Sequence, residues 1–136
     1  NMGMITFEEK DKLLSYILSV KSDHFIIDNQ DVFPNKEVLD FEFFLMLKQF
    51  VKMGLLEKSI EMTGGISRII LNADIYDYFN HGGFRAQEEI LKASLEKLGY
   101  ELEKLSESSD PIVLSRIDKI AGITTSIATA IGLFSK

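Results

Sequence analysis

No cysteine and no tryptophan occur among the 136 residues. Without thiols there is no disulfide, no thiolate nucleophile, no iron–sulfur cluster and no cysteine-type zinc site. That fits a reducing compartment, and a cytoplasmic location is expected. The stretch Met2 to Lys10 turns charged almost at once, so no signal peptide is expected from it. Proline is limited to Pro34 and Pro111, which leaves long segments free of an obligatory helix break. His24 and His81 are the only imidazoles. A metal site would need both to converge with carboxylates such as Asp23 or Asp28. The place of His81 near a helix C-terminus is explained by the helix dipole. No metal and no cofactor are expected.

Positive charge is also in short supply. Fifteen Lys and Arg stand against 21 Asp and Glu, for a net charge of −6. Such a chain repels phosphate backbones unless its cations gather on one face. Long apolar runs are missing too. The uncharged stretch Ile120 to Phe134 falls short of the roughly 20 residues a bilayer span requires. Thr124, Thr125, Ser126, Thr129, Gly122 and Gly132 lower its apolarity further.

Apolar residues are nevertheless plentiful at 46%, with ten Phe, which is enough to bury a core. Thr6-Phe7-Glu8-Glu9 is a capping box, and Leu13, Leu14, Ile17 and Leu18 follow at helical spacing. The first helix is expected from Phe7 to Val20. Phe25-Ile26-Ile27 is β-prone, and a loop through Asn29, Asp31 and Pro34 follows. Asn35 then serves as N-cap for a helix over Lys36–Met53. Its core face is expected to hold Leu39, Phe43, Met46, Leu47, Phe50, Val51 and Met53. Gly54 supplies the C-cap. Two β-prone runs, Leu55–Met62 and Ile66–Leu71, flank Gly64-Gly65 and read as a hairpin. Asn72 caps a short helix over Ala73–Asn80, and His81-Gly82-Gly83 ends it.

From Phe84 to Glu107 the pattern is one long helix. Leu91, Leu95, Leu98, Leu102 and Leu105 alternate four and three apart, as in the seam of a coiled coil. After the turn Ser106–Pro111, with Asp110 as N-cap, the last helix carries Val113, Ile117, Ile120, Thr124, Ile127, Ile131 and Phe134 at the same spacing. The short connection predicts an antiparallel helical hairpin. The fold class is mainly α with a small β-hairpin, an α+β arrangement, divided into residues 5–83 and 84–136.

Leu47-Lys48-Gln49-Phe50-Val51-Lys52-Met53-Gly54-Leu55-Leu56-Glu57-Lys58 looks like a third helix running into a wing. Leu71-Asn72-Ala73-Asp74-Ile75-Tyr76-Asp77-Tyr78-Phe79 resembles the post-wing "Leu-Thr-x-x-Gly-x-x-x-Phe" helix of many bacterial winged-helix proteins. Residues 5–83 therefore resemble the winged-helix family, and the resemblance implies DNA binding as the common activity. Two departures weaken that transfer. The segment Asn29 to Lys36 is too short for a full second helix, and Ile75 stands where the family's glycine falls.

The outward face of the Lys36–Met53 helix is where a DNA-binding relative would read the major groove. It carries Phe41, Phe44, Leu45 and Lys48, with Glu37 and Asp40 near its start. Carboxylates there repel phosphate, and three apolar side chains seek cover. The face reads as a protein contact, covered by the chain's own C-terminal helices or by a second copy. The wing brings only Lys58 and Arg68, so a solvated hairpin tip is the simpler reading. Ser94 and Lys97 match a Ser-x-x-Lys spacing inside the leucine helix, without a companion motif. No nucleophile–base set stands out, and no enzyme activity is expected.

The packing seam comprises Leu91, Leu95, Leu98, Leu102, Leu105, Ile117, Ile120, Ile127 and Ile131. Gly122, Ser126 and Ala130 add a small-residue stripe. The expected function is a non-catalytic protein-interaction or oligomerisation module, as a homodimer or with another protein. Two alternatives are a winged-helix DNA-binding regulator and a membrane-associated accessory protein held by its last helix. Nucleic-acid and membrane partners are both disfavoured.

Overall fold

The computed structural model describes residues 5–130, and the side chains of residues 5–127. Helix α1 spans Phe7–Val20. Its capping box forms as expected: the Thr6 hydroxyl accepts the Glu9 amide at 3.2 Å, and the Glu9 carboxylate accepts the Thr6 amide at 3.1 Å. Strand β1 follows over His24–Asp28.

The expected loop from Asn29 is instead a one-turn helix, α2, over Asn29–Val32. The Asp28 carboxylate caps it by accepting the Gln30 amide at 3.0 Å. Asn29 itself is fully buried, and its side-chain amide donates to the Val38 carbonyl and to Asp40, each at 2.9 Å. Those long-range bonds hold a turn too short to be stable alone.

The next helix, α3, spans Asp40–Lys52 rather than starting at Lys36. Asn35 and Lys36 adopt left-handed φ values of 63° and 57° within a 3₁₀ turn at Pro34–Lys36. An N-cap needs an extended backbone, so Asn35 cannot serve as one. Leu39 takes that position, and the Glu42 carboxylate accepts its amide at 3.0 Å. Leu39 and Met53, expected in the core, lie just outside the two ends of α3 and are exposed. A Schellman closure ends the helix. Leu55 donates to the Phe50 carbonyl, Gly54 donates to that of Val51, and Gly54 takes a φ of +82°.

Strands β2 (Leu56–Met62) and β3 (Ile66–Leu71) form the hairpin. Strand β1 joins it, giving a three-stranded antiparallel sheet in the order β1-β3-β2. The Asn72 side chain accepts the Asp74 amide at 2.8 Å, and helix α4 runs over Asp74–Asn80.

The chain divides after Ala86 into two units. The core of the first unites Leu13, Leu14 and Ile17 of α1 with Phe43, Met46, Leu47 and Phe50 of α3, together with Ile27 and Ile69 of the sheet. Phe84, which the sequence places in the second domain, closes this core. It stacks on Phe50 at 5.3 Å and meets Tyr78 edge-on at 5.0 Å.

Helix α5 runs over Gly83–Leu105 and α6 over Pro111–Ala130. The Asp110 carboxylate accepts the Ile112 amide at 2.9 Å, and Pro111 occupies the first helical position. Among the described residues no helix is long and apolar enough to cross a membrane.

Candidate interaction surfaces

On α3, Phe41 is 60% exposed and Leu45 is 47% exposed. Phe44 behaves differently. It is partly buried, packs against the core and lies 6.0 Å from the Phe43 ring. The apolar part of this face therefore narrows to Phe41 and Leu45, one helical turn apart. Lys48 is held by Glu61 of β2 at 3.5 Å, an exposed pair that adds little stability yet answers the cation's charge. Asp40 and Glu42 occupy the first turn of α3, which gives its N-terminal end a negative edge.

The second unit presents the seam. Leu102 of α5 and Ile117 of α6 are each only 8% exposed. Both belong to a groove of about 510 Å³ between the two helices, together with Leu95, Gly99, Ala121 and Thr124. Among the described residues the rest of the seam is not buried. Leu91, Leu98, Leu105, Ile120 and Ile127 are exposed, as are Ile90, Ile112 and Ile123 beside them. Ile131 and Phe134 lie outside the described residues. Thr124 donates to the Ile120 carbonyl at 2.9 Å and Ser126 to that of Gly122 at 3.0 Å. Both hydroxyls are thereby satisfied within α6, so they do not demand water.

The imidazoles are engaged locally. His24 Nδ1 sits 2.9 Å from the Asp23 carboxylate, and His81 Nδ1 sits 2.7 Å from the Asp77 carbonyl. Among the described residues no three His, Asp or Glu side chains converge. Ser94 and Lys97 are both exposed on α5. In the first unit, burial pushes the Tyr78 phenol up to about 12, and the negative charge of Asp11 adds to the effect.

One surface escapes the sequence reading. Along the strands, Ile27 and Ile69 point into the core, so their neighbours Ile26, Arg68 and Ile60 point out. Reading Phe25-Ile26-Ile27 as a uniformly apolar strand hides this alternation. On β2, Ile60 and Met62 are exposed on the same face.

Comparison with known proteins finds no matching family model, no significantly similar curated protein and no significantly similar solved structure.

Proposed function

We propose that this chain is a non-catalytic protein-interaction and oligomerisation module on a winged-helix scaffold, acting in the cytoplasm as a homodimer joined by its C-terminal helices. The helix–strand–helix–helix–hairpin order and the β1-β3-β2 sheet support the winged-helix reading. The observation that carries the proposal is the leucine seam. Its spacing is that of a coiled coil, yet among the described residues only Leu102 and Ile117 of it are buried. The pair leaves Leu91, Leu98 and Leu105 exposed along one seam, a row of apolar side chains that a partner would cover.

A twofold partner presents the same seam, so one surface covers the other. DNA reading by α3 is disfavoured, because Phe41 and Leu45 face solvent where cations would be needed and Lys48 is already paired. Light scattering on the purified chain tests the proposal. A mass near twice 15.4 kDa supports it, and a single-chain mass at every concentration refutes the homodimer.

A further inference from the structure

The outer face of the three-stranded sheet is aliphatic with a cation at its centre. The register places Ile26 of β1 and Ile60 of β2 on either side of Arg68 of β3. Ile66 and Ile70 precede and follow Arg68 on the same face, and Met62 lies across from Ile66. Ile26 is 57% exposed, and Ile60 and Met62 are exposed as well. Side chains of this kind in contiguous rows mark a contact surface rather than a solvated one.

We propose that this face docks an apolar segment of another protein carrying a carboxylate that meets Arg68. Charge complementarity selects this occupant. Arg68 has no carboxylate partner among the described residues, and neither does Lys58, one row away on β2. The acid on the same face, Asp28, is committed to the Gln30 amide at the start of α2. His24, at the other end of β1, is answered by Asp23. A chain of net charge −6 thus keeps two unanswered cations on its exposed aliphatic sheet face.

A second copy fits this face poorly. A twofold contact sets a patch against itself and would bring Arg68 towards Arg68. Nucleic acid fits poorly too, since two cations among five aliphatic side chains release few counterions. Strand β3 is paired on both sides, so at Arg68 recognition runs through the side chain and not through an added strand.

The test is a selection of random short peptides displayed on phage against the full chain, followed by affinity measurements with synthetic copies of the winners. The expected winners combine aliphatic residues with Asp or Glu. They lose about tenfold or more in affinity for Arg68→Glu and Ile60→Ser variants. They regain affinity for Arg68→Glu when their acid is replaced by Lys. Circular-dichroism melts of each variant, with Arg68→Gln as the milder change, separate lost binding from lost folding. An empty selection, or winners without acid, overturns the proposal. So does binding that ignores Arg68→Glu and Ile60→Ser but responds to Phe41→Ser, which assigns the contact to α3. Duplex DNA binding that disappears in Arg68→Glu overturns it in favour of nucleic acid. Dimerisation that changes with Arg68→Glu overturns it in favour of a second copy.

Discussion

Asp11 caps the start of the fifth helix, its carboxylate accepting the Phe84 amide at 2.7 Å. The same carboxylate accepts the Arg85 amide at 2.9 Å. These charge-assisted bonds tie α1 to the point where the chain enters α5, and they hold Phe84 against Phe50. The approach needs a glycine beside it, because a Cβ on Gly83, at φ +62°, would press on the Asp11 carboxylate. Asp11→Ala is expected to lower stability by about 0.5–2 kcal/mol, the usual range for a lost helix cap. Asp11→Asn recovers part of that loss. Urea unfolding of the three chains checks the order.

Tyr78 gives a pH dependence. Its hydroxyl oxygen is buried without a partner, and burial, aided by Asp11, raises its pKa from 10.0 to about 12. The folded pKa lies above the unfolded one. The stabilising contribution is therefore complete below pH 10 and is lost as pH rises through about 12. Tyr78→Phe removes this loss, so its stability declines less steeply between those two values. It also removes an unpaired buried hydroxyl, so at neutral pH it is expected to be neutral or slightly stabilising. Denaturant unfolding at pH 7, 10 and above reports both effects.

Two glycines separate backbone strain from collision. Gly54 has a φ of +82° and open space around it, so Gly54→Ala costs only the left-handed backbone term, about 1–2 kcal/mol. Gly65 has a φ of +75°, and a Cβ there would also strike the Asp40 carboxylate, which bonds Asn29. Gly65→Ala is expected to cost clearly more than Gly54→Ala. Equal losses in thermal unfolding would mean that Asp40 simply moves aside.

What was legible in the sequence was mostly local. The start of α1 follows from Thr6 and Glu9, and the hairpin from Gly64 and Gly65, because a cap or a turn is chosen by neighbouring residues. The start of α3 is not legible because Asn35 resembles a cap, while in the structure it is left-handed within the turn at Pro34–Lys36. Helix α2 is not legible in the sequence because the Asn29 bonds that hold it go to Val38 and Asp40, beyond the following turn. At the candidate surfaces, spacing identified Phe41, Leu45 and the leucine seam as faces needing cover. It could not separate Phe44, which leans on the core, from its outward neighbours. The sheet face around Arg68 required the register of three strands.

Duplex DNA is expected to bind weakly or not at all. Glu42 and Asp40 open α3, and Lys48 is answered by Glu61. Fluorescence anisotropy at about 100 mM salt, where phosphate contacts still contribute, should show no sub-micromolar binding. Tight binding with a steep salt slope would restore the regulator reading.

The central claim is that the leucine seam joins two chains, and light scattering with two seam variants tests it most directly. Leu102 is buried inside its own helix pair, whereas Leu98 on the same seam is 37% exposed. Leu102→Asp should damage the fold itself, since an unpaired carboxylate in an apolar setting is costly. Leu98→Asp should keep its helical circular dichroism and lose only the partner. The account predicts about twice 15.4 kDa for the unaltered chain and the single-chain mass for Leu98→Asp. A 15.4 kDa species for the unaltered chain at high concentration, or a dimer untouched by Leu98→Asp, would contradict it.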